Sequence, residues 1–325
     1  MTRTVLITGG AGFIGSNLAA RLAGGGDRVR VLDDLSMGKR AYLDGVPHEL
    51  IVRSLAERDA IDAAVQGVDA VVHLAARAGI PDSVADPLGT FEANVSRLLD
   101  VLDAARLAGA RRFVFASSNA AAGDHEPPAD ERDLPHPLSP YGASKLAGEA
   151  YCQAYAATYG LAACALRFSN AYGPRSLHKR SVVAAWLRAA ITDQPIEIHG
   201  DGQQTRDFVY VDDLADAVRA ALDAPESAVA GELFQAGTGV ETTVNELAEA
   251  IQAAVGHSLD VRHLPARPGD VRRNVSRVDK AAERLGYRAV VPLADGIART
   301  TAWFRTALAD PALAGIEAHA ASGSE

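Results

Sequence analysis

The segment Thr8-Gly9-Gly10-Ala11-Gly12-Phe13-Ile14-Gly15, directly after the apolar run Val5-Leu6-Ile7, is the feature that most narrows the folds open to this chain. Both GxGxxG (Gly10, Gly12, Gly15) and GxxGxxG (Gly9, Gly12, Gly15) can be read in it. A glycine turn between a strand and a helix lets the backbone approach a pyrophosphate closely. The free N–H groups and positive dipole end of the helix complete the anion site. An acidic pair, Asp33-Asp34, ends the next apolar run, 18 residues past Gly15. A carboxylate there accepts from adenine-ribose hydroxyls and repels a 2′-phosphate, so the expected cofactor is NAD rather than NADP. Lys39 and Arg40 lie too far along the following loop to reverse that preference.

The pattern around this segment is an alternation of short apolar runs and longer helical stretches. Strands are expected near Thr4–Thr8, Arg28–Asp33, His48–Arg53, Ala70–His73, Arg112–Ala116 and Ala162–Phe168, and the clearest helices near Phe13–Ala23, Pro87–Ala108 and Tyr141–Tyr159. This predicts an α/β fold: a doubly wound parallel Rossmann sheet with a smaller, interleaved α/β substrate-binding domain. The first part is expected over 1–170 and again over about 206–237, the second over about 171–205 and 238–308. Within these, Ser181–Thr192, Val211–Asp223 and Leu293–Ala307 read as helices, and Glu232–Gln235 as a strand able to return to the main sheet. Residues 309–325 are mostly small and polar and are expected to fray.

Composition removes several functions. With 32 basic against 41 acidic residues and a net charge of −9, the chain has no footprint for collective nucleic-acid binding. The two cysteines, Cys152 and Cys164, sit in apolar surroundings with no CxxC, so neither disulfides nor a metal site is expected. There is no apolar run of 18 or more residues and no leader-like start, which predicts a cytoplasmic protein with no membrane partner.

A second constellation bears on chemistry. Tyr141 and Lys145 stand four apart in a helix opening after Pro140, so they share one face. A tyrosine titrating near 10 becomes a useful base at neutral pH only if its phenolate gains roughly 4 kcal/mol, and a neighbouring ammonium and a bound NAD⁺ are the expected sources. The fifth strand ends in Ser117-Ser118, at the sheet edge where ligands bind in such folds. A hydroxyl at Ser118 can bridge Tyr141 and a substrate hydroxyl.

At this point the chain resembles the extended short-chain dehydrogenase/reductase family, of the UDP-glucose 4-epimerase type. The marks run nearly end to end: the glycine segment, Asp33-Asp34-Leu35, His73-Leu74-Ala75-Ala76, Asn94, Ser117-Ser118, Tyr141 to Lys145, Arg167 to Pro174, Gly200 to Asp213 and Arg267-Pro268-Gly269-Asp270. The resemblance implies that Tyr141 is the base, that Lys145 holds the nicotinamide ribose and tunes the tyrosine, and that Ser118 bridges to the sugar. It places NAD against Gly9, Gly12, Phe13, Ile14, Gly15, Asp33, Asp34, Leu74, Ala75, Ala76, Asn94, Ser117, Tyr141, Lys145 and Phe168. It places the UDP-sugar against Ser118, Asn119, Asn170, Arg206, Arg267 and Asp270, with both arginines clamping the diphosphate. Relatives pair as homodimers through helices matching 87–108 and 141–159.

Departures from the family pattern narrow the reaction. Asn119-Ala120 stand where 4,6-dehydratases carry Asp-Glu, and decarboxylases of UDP-glucuronate carry Glu at the Ala120 position. UDP-glucuronate 4-epimerases carry Thr at the Asn170 position and an Arg near Leu177. The expected reaction is therefore C4 epimerisation of a neutral UDP-hexose through a 4-keto sugar, UDP-glucose/UDP-galactose first and the N-acetyl pair next. The competing readings are UDP-glucuronate decarboxylase or 4-epimerase, a nucleotide-sugar 4-ketoreductase, and a non-enzymatic dinucleotide-sensing regulator.

Overall fold

The computed structural model describes residues 2–266, 272–310 and 313. Its first half is built from β1 (Thr4–Thr8), β2 (Arg28–Leu32), β3 (Glu49–Ile51), β4 (Ala70–His73), β5 (Arg112–Ser118) and β6 (Ala162–Phe168). Every residue of β4 and β6 is buried, as a parallel sheet covered on both faces requires. Between the strands run α1 (Phe13–Gly24), α2 (Arg58–Ala64), α3 (Ile80–Ala85), α4 (Pro87–Phe91), α5 (Arg97–Leu107) and α6 (Pro140–Tyr159). Then come β7 (Asn170–Tyr172), α7 (Val182–Ile191), β8 (Ile196–His199), β9 (Thr205–Arg206), β10 (Phe208–Tyr210), α8 (Val211–Asp223), the short α9 (Glu226–Val229) and β11 (Leu233–Ala236). The chain closes with β12 (Thr242–Thr243), α10 (Val244–Val255), β13 (Val261–Leu264), β14 (Arg273–Asn274), α11 (Asp279–Leu285) and α12 (Leu293–Ala309).

Seven parallel strands form the central sheet, in the order β11-β6-β5-β4-β1-β2-β3. The expected return strand does rejoin it, with Leu233 opposite Ala165 and Ala236 opposite Phe168. The strand order reverses between β1 and β4, so a crevice opens there at the carboxyl ends of the strands. One face of the sheet is covered by α1 and α8, with Leu18, Leu22, Leu214 and Val218 packed on Val5, Ile7 and Val114. The other is covered by α2, α5 and α6, with Ile61, Leu98, Leu102 and Cys152 packed on Leu6, Val71 and Phe113. Burying each such side chain is worth roughly 1.5–3 kcal/mol. Cys164 belongs to the first core and Cys152 to the second, so the sheet itself separates the two thiols. The C-terminal elements surround a third core, where Trp186 and Leu187 of α7 meet Leu247 and Ile251 of α10 and Phe304 of α12.

The helix expected over Pro87–Ala108 is not uniform. Its middle, Glu92–Ser96, is a π-helical turn between α4 and α5. The wider turn carries Asn94 inward, where its amide donates to Arg77 O and Ser144 Oγ while its oxygen accepts the Arg77 N–H. A local widening of this kind is a common way to re-aim one helical side chain at a site. β5 runs through Ser117 and Ser118, where β6 pairs with it to the end. Among the described residues no helix is long and apolar enough to cross a membrane. Most of the tail expected to fray, and the expected site residues Arg267 and Asp270, lie outside the described residues.

Candidate active site

The glycine segment turns from β1 into α1 at the crevice. Gly9 has φ +70°, and a Cβ on it would lie 2.8 Å from the Ala75 backbone, so the β1 and β4 turns touch there. A Cβ on Gly15 would lie 2.3 Å from Gly9 O, so the turn closes only with glycine at that place. α1 follows Gly12 at its N-cap, with no capping side chain and no acid in its first turn, which leaves an anion-binding helix end. Asp33 is buried, and its carboxylate accepts from Ala11 N at 2.9 Å and Leu35 N at 2.8 Å. Burial pushes this carboxyl above its ordinary value, against the pull of those two N–H donors. Asp34 is exposed and accepts from Ser36. Leu74 is tied to β1 through its N–H on Thr8 O, and Ala75 and Ala76 follow it. The backbone cradle with no space for a Cβ, the uncapped helix end and the inward carboxylate fit an adenine dinucleotide.

The second wall of the crevice is made by β5, β6 and α6. Ser139 caps α6 by accepting the Gly142 N–H at 3.1 Å, and Pro140 occupies the first turn. A Cβ on Gly142 would lie 2.2 Å from Ala120 O, so glycine lets the helix close onto the turn after β5. Tyr141 is thereby brought to face Ser118. Burial pushes the Tyr141 phenol above its ordinary value and the Ser118 hydroxyl opposes this. Lys145 Nζ stands 5.9 Å from the Tyr141 ring centroid. Lys145 is itself 3% exposed, donates to Ala116 O at 2.8 Å, and is pushed down to about 8 by burial, while Glu149 works to raise it. Asn94 braces the same turn, since its partner Ser144 Oγ donates to Tyr141 O at 2.7 Å.

The third side is polar. Asn119, at the end of β5, donates to Asn274 Oδ1 at 3.2 Å, Ser276 Oγ at 3.0 Å and Ser169 Oγ at 3.3 Å. Asn274 lies opposite Arg206 across β14 and β9, which brings Arg206 to the same mouth. Phe168 is buried at the end of β6, whereas Asn170 is exposed, with its amide 3.4 Å from Asp207 O. Ser117, expected at the cofactor, instead donates its hydroxyl to Glu149.

Residues 5–237 match the model of the NAD dependent epimerase/dehydratase family. The chain belongs to this family. A UDP-glucose 4-epimerase of Mycolicibacterium smegmatis is 40% identical over 313 residues, covering 92% of this chain and 98% of that one. Among solved structures, UDP-glucose 4-epimerase of Thermus thermophilus in complex with NAD is 37% identical with a TM-score of 0.85. The Thermotoga maritima UDP-glucose 4-epimerase with UDP-glucose is 34% identical with a TM-score of 0.88. Each covers 94% of this chain and is itself covered over 99% of its length. As a member of the NAD dependent epimerase/dehydratase family, the chain takes NAD as its cofactor.

For this family member, reading the sequence left out residues that the fold places at the site. Glu149, a helical turn past Lys145, forms a buried pair with Arg167. His73 bonds Thr8 Oγ1 at 2.9 Å across β1 and β4, leaves Nε2 without a partner, and is pushed down to about 3, chiefly by burial and further by Lys145. The signal for Glu149 was present in its i+4 spacing from Lys145; nothing local marks its partner on a distant strand.

Proposed function

We propose that this protein interconverts C4 epimers of a neutral UDP-hexose, UDP-glucose and UDP-galactose first and the N-acetyl pair next. The observation that carries the reading is the Ser118–Tyr141–Lys145 group at the carboxyl end of β5, its lysine buried, with Asn119 and Ala120, not an acid pair, beside it. In this reading Tyr141 takes the C4 hydroxyl proton with Ser118 aligning the hydroxyl, and returns it to the same oxygen once the transient 4-keto sugar has turned its other face toward the place where the dinucleotide would give back the C4 hydride. The bound dinucleotide supplies a hydride acceptor and donor and a positive ring. Gly9, Gly12, Phe13, Ile14, Gly15, Asp33, Asp34, Leu74, Ala75, Ala76, Asn94 and Phe168 would hold it, with Lys145 at its ribose. Ser117 stands behind that contact through Glu149. Asn119, Asn170 and Arg206 would receive the nucleotide sugar, and the Arg206 guanidinium suits a diphosphate.

The test is proton NMR of the purified protein, without added cofactor, on UDP-glucose, UDP-N-acetylglucosamine and UDP-glucuronate separately. New galacto-configured anomeric signals from a neutral sugar support the reading. Reaction of UDP-glucuronate alone, giving UDP-xylose or UDP-galacturonate, overturns it. The same reading includes a homodimer through helices 87–108 and 141–159. Leu88 and Phe91 on α4 are 80% and 55% exposed, and along the same pair of helices Tyr151 and Tyr159 on α6 are exposed too, Tyr159 against Arg106 of α5. A monomer mass in light scattering would refute the dimer.

A further inference from the structure

A buried ion pair stands behind the lysine, and its geometry has a direction. Arg167 and Glu149 are 2% and 8% exposed. The Glu149 carboxylate takes three hydrogen bonds: Arg167 Nε at 2.8 Å, Arg167 Nη2 at 2.7 Å and the Ser117 hydroxyl. Ser117 precedes Ser118 on β5, Arg167 precedes Phe168 on β6, and Glu149 follows Lys145 by one turn of α6. One carboxylate therefore ties together the three elements that make this wall of the crevice.

Stability alone is a poor reason for such a pair. Apolar side chains of similar volume serve a core as well or better, because desolvating two charges offsets most of their attraction. The arrangement around Lys145 supplies another reason. The groups facing its ammonium are Tyr141 and Glu149 from α6, the neutral His73 from β4, and the Phe115 ring and Ala116 carbonyl from β5. Glu149, one turn from Lys145 on the same face of α6, is the anion that acts to raise the lysine, and its carboxylate is gripped at both oxygens by the Arg167 guanidinium. Beyond the pair lies a surface cavity of about 760 Å³, also lined by Asp130, Arg277 and Lys280. Glu149 and Arg167 stand between that cavity and the lysine.

We propose that Glu149, clamped by Arg167 and Ser117, is a positioning residue that acts as the counter-charge holding the Lys145 ammonium at the Ser118–Tyr141 group. The catalytic part of this statement rests on the function proposed above; the electrostatic part does not.

The chain carries four lysines, Lys39, Lys145, Lys179 and Lys280, so a protein labelled with ¹³C at lysine Cε gives four signals to titrate. The signal lost in Lys145→Arg is that of Lys145. In Glu149→Gln the Lys145 midpoint should fall by about one pH unit. The alkaline limb of kcat should move with it, while KM for the UDP-sugar stays in place. Glu149→Asp, which keeps the charge, should restore most of the midpoint. If Glu149→Gln does not fold, the double variant Glu149→Leu/Arg167→Met carries the same test with apolar groups of similar volume. A Lys145 midpoint unmoved in a folded variant overturns the proposal even if turnover falls. A moved midpoint in a protein that converts no UDP-sugar supports it and breaks only the reaction assigned to the site.

Discussion

The two walls of the crevice are made of different materials. Beside β1 and β2 the wall is backbone: Gly9 against Ala75, Gly15 against Gly9, and one carboxylate, Asp33, whose oxygens accept from Ala11 and Leu35 N–H groups. Beside β5 and β6 it is side chains, and most of them titrate: Tyr141, Lys145 and Glu149, with Arg167 behind. Shape specifies the first wall, since a single methyl group collides there. Charge specifies the second, since a low-dielectric interior magnifies every ionic contact. Substitutions in the first should therefore act on dinucleotide retention at any pH. Substitutions in the second should act on protonation.

The sharpest way to break this contrast is at the two extremes. Tyr141→Phe removes one hydroxyl from the charged wall and should lower kcat by about 10²–10⁴-fold, leaving UDP affinity by calorimetry close to wild type. A variant turning over at the wild-type rate would remove Tyr141 from the chemistry. Gly15→Ala adds one methyl group to the backbone wall, 2.3 Å from Gly9 O. Overpacking of this kind costs roughly 1–3 kcal/mol, so NAD affinity should fall about 10- to 100-fold, with no change in the shape of the pH–rate profile. A shifted profile in Gly15→Ala would mean that the walls are not separable.

Two buried groups at the crevice, His73 on β4 and Asp33 after β2, should answer pH with opposite signs. His73 is held down to about 3, so between pH 6.5 and 3 the unfolded chain binds a proton that the folded chain refuses. Stability is then lost as pH falls through that window, by about 1.4 kcal/mol per pH unit. Urea unfolding at pH 6.5 and 5 should show wild type losing roughly 2 kcal/mol more than His73→Gln. Asp33 works the other way: its raised carboxyl contributes stability at low pH that is lost as pH climbs past the ordinary carboxylate range. Equal pH dependence in wild type and His73→Gln would show that His73 is protonated in the native state.

How much of each wall was legible from residues alone follows from the same contrast. The backbone wall is local: strand, glycine turn and helix lie within Thr4–Gly24, and the acidic residue closes the next strand, so the fold around the cofactor could be read directly. Tyr141 and Lys145 were legible for the same reason, as neighbours on one helix face. The Glu149–Arg167 pair spans 18 residues and a change of element, and no periodicity announces it. The π-helical turn at Glu92–Ser96 was equally hidden, because its cause is the set of bonds Asn94 makes to Arg77 and Ser144, far away in the chain. Arg206 and Asn274 meet only because two short strands pair across the mouth.

Ser117 tests the boundary between the walls most finely. Its place at the strand end makes it a candidate cofactor contact, as Ser118 beside it is a candidate substrate contact. The fold gives the two hydroxyls different work: Ser117 donates to the Glu149 carboxylate, whereas Ser118 accepts the Ala120 N–H and faces Tyr141. Ser117→Ala withdraws one donor from a buried carboxylate that keeps both Arg167 bonds. A hydrogen bond to a charged group is worth roughly 1.5–3 kcal/mol, so the denaturation midpoint should drop by that amount of stability. NAD content after purification should stay that of wild type, because the lost bond lies behind the crevice, not in it. If Ser117→Ala instead emerges stable and stripped of NAD, the hydroxyl serves the dinucleotide, and the charged wall begins one residue later than its hydrogen bonds indicate.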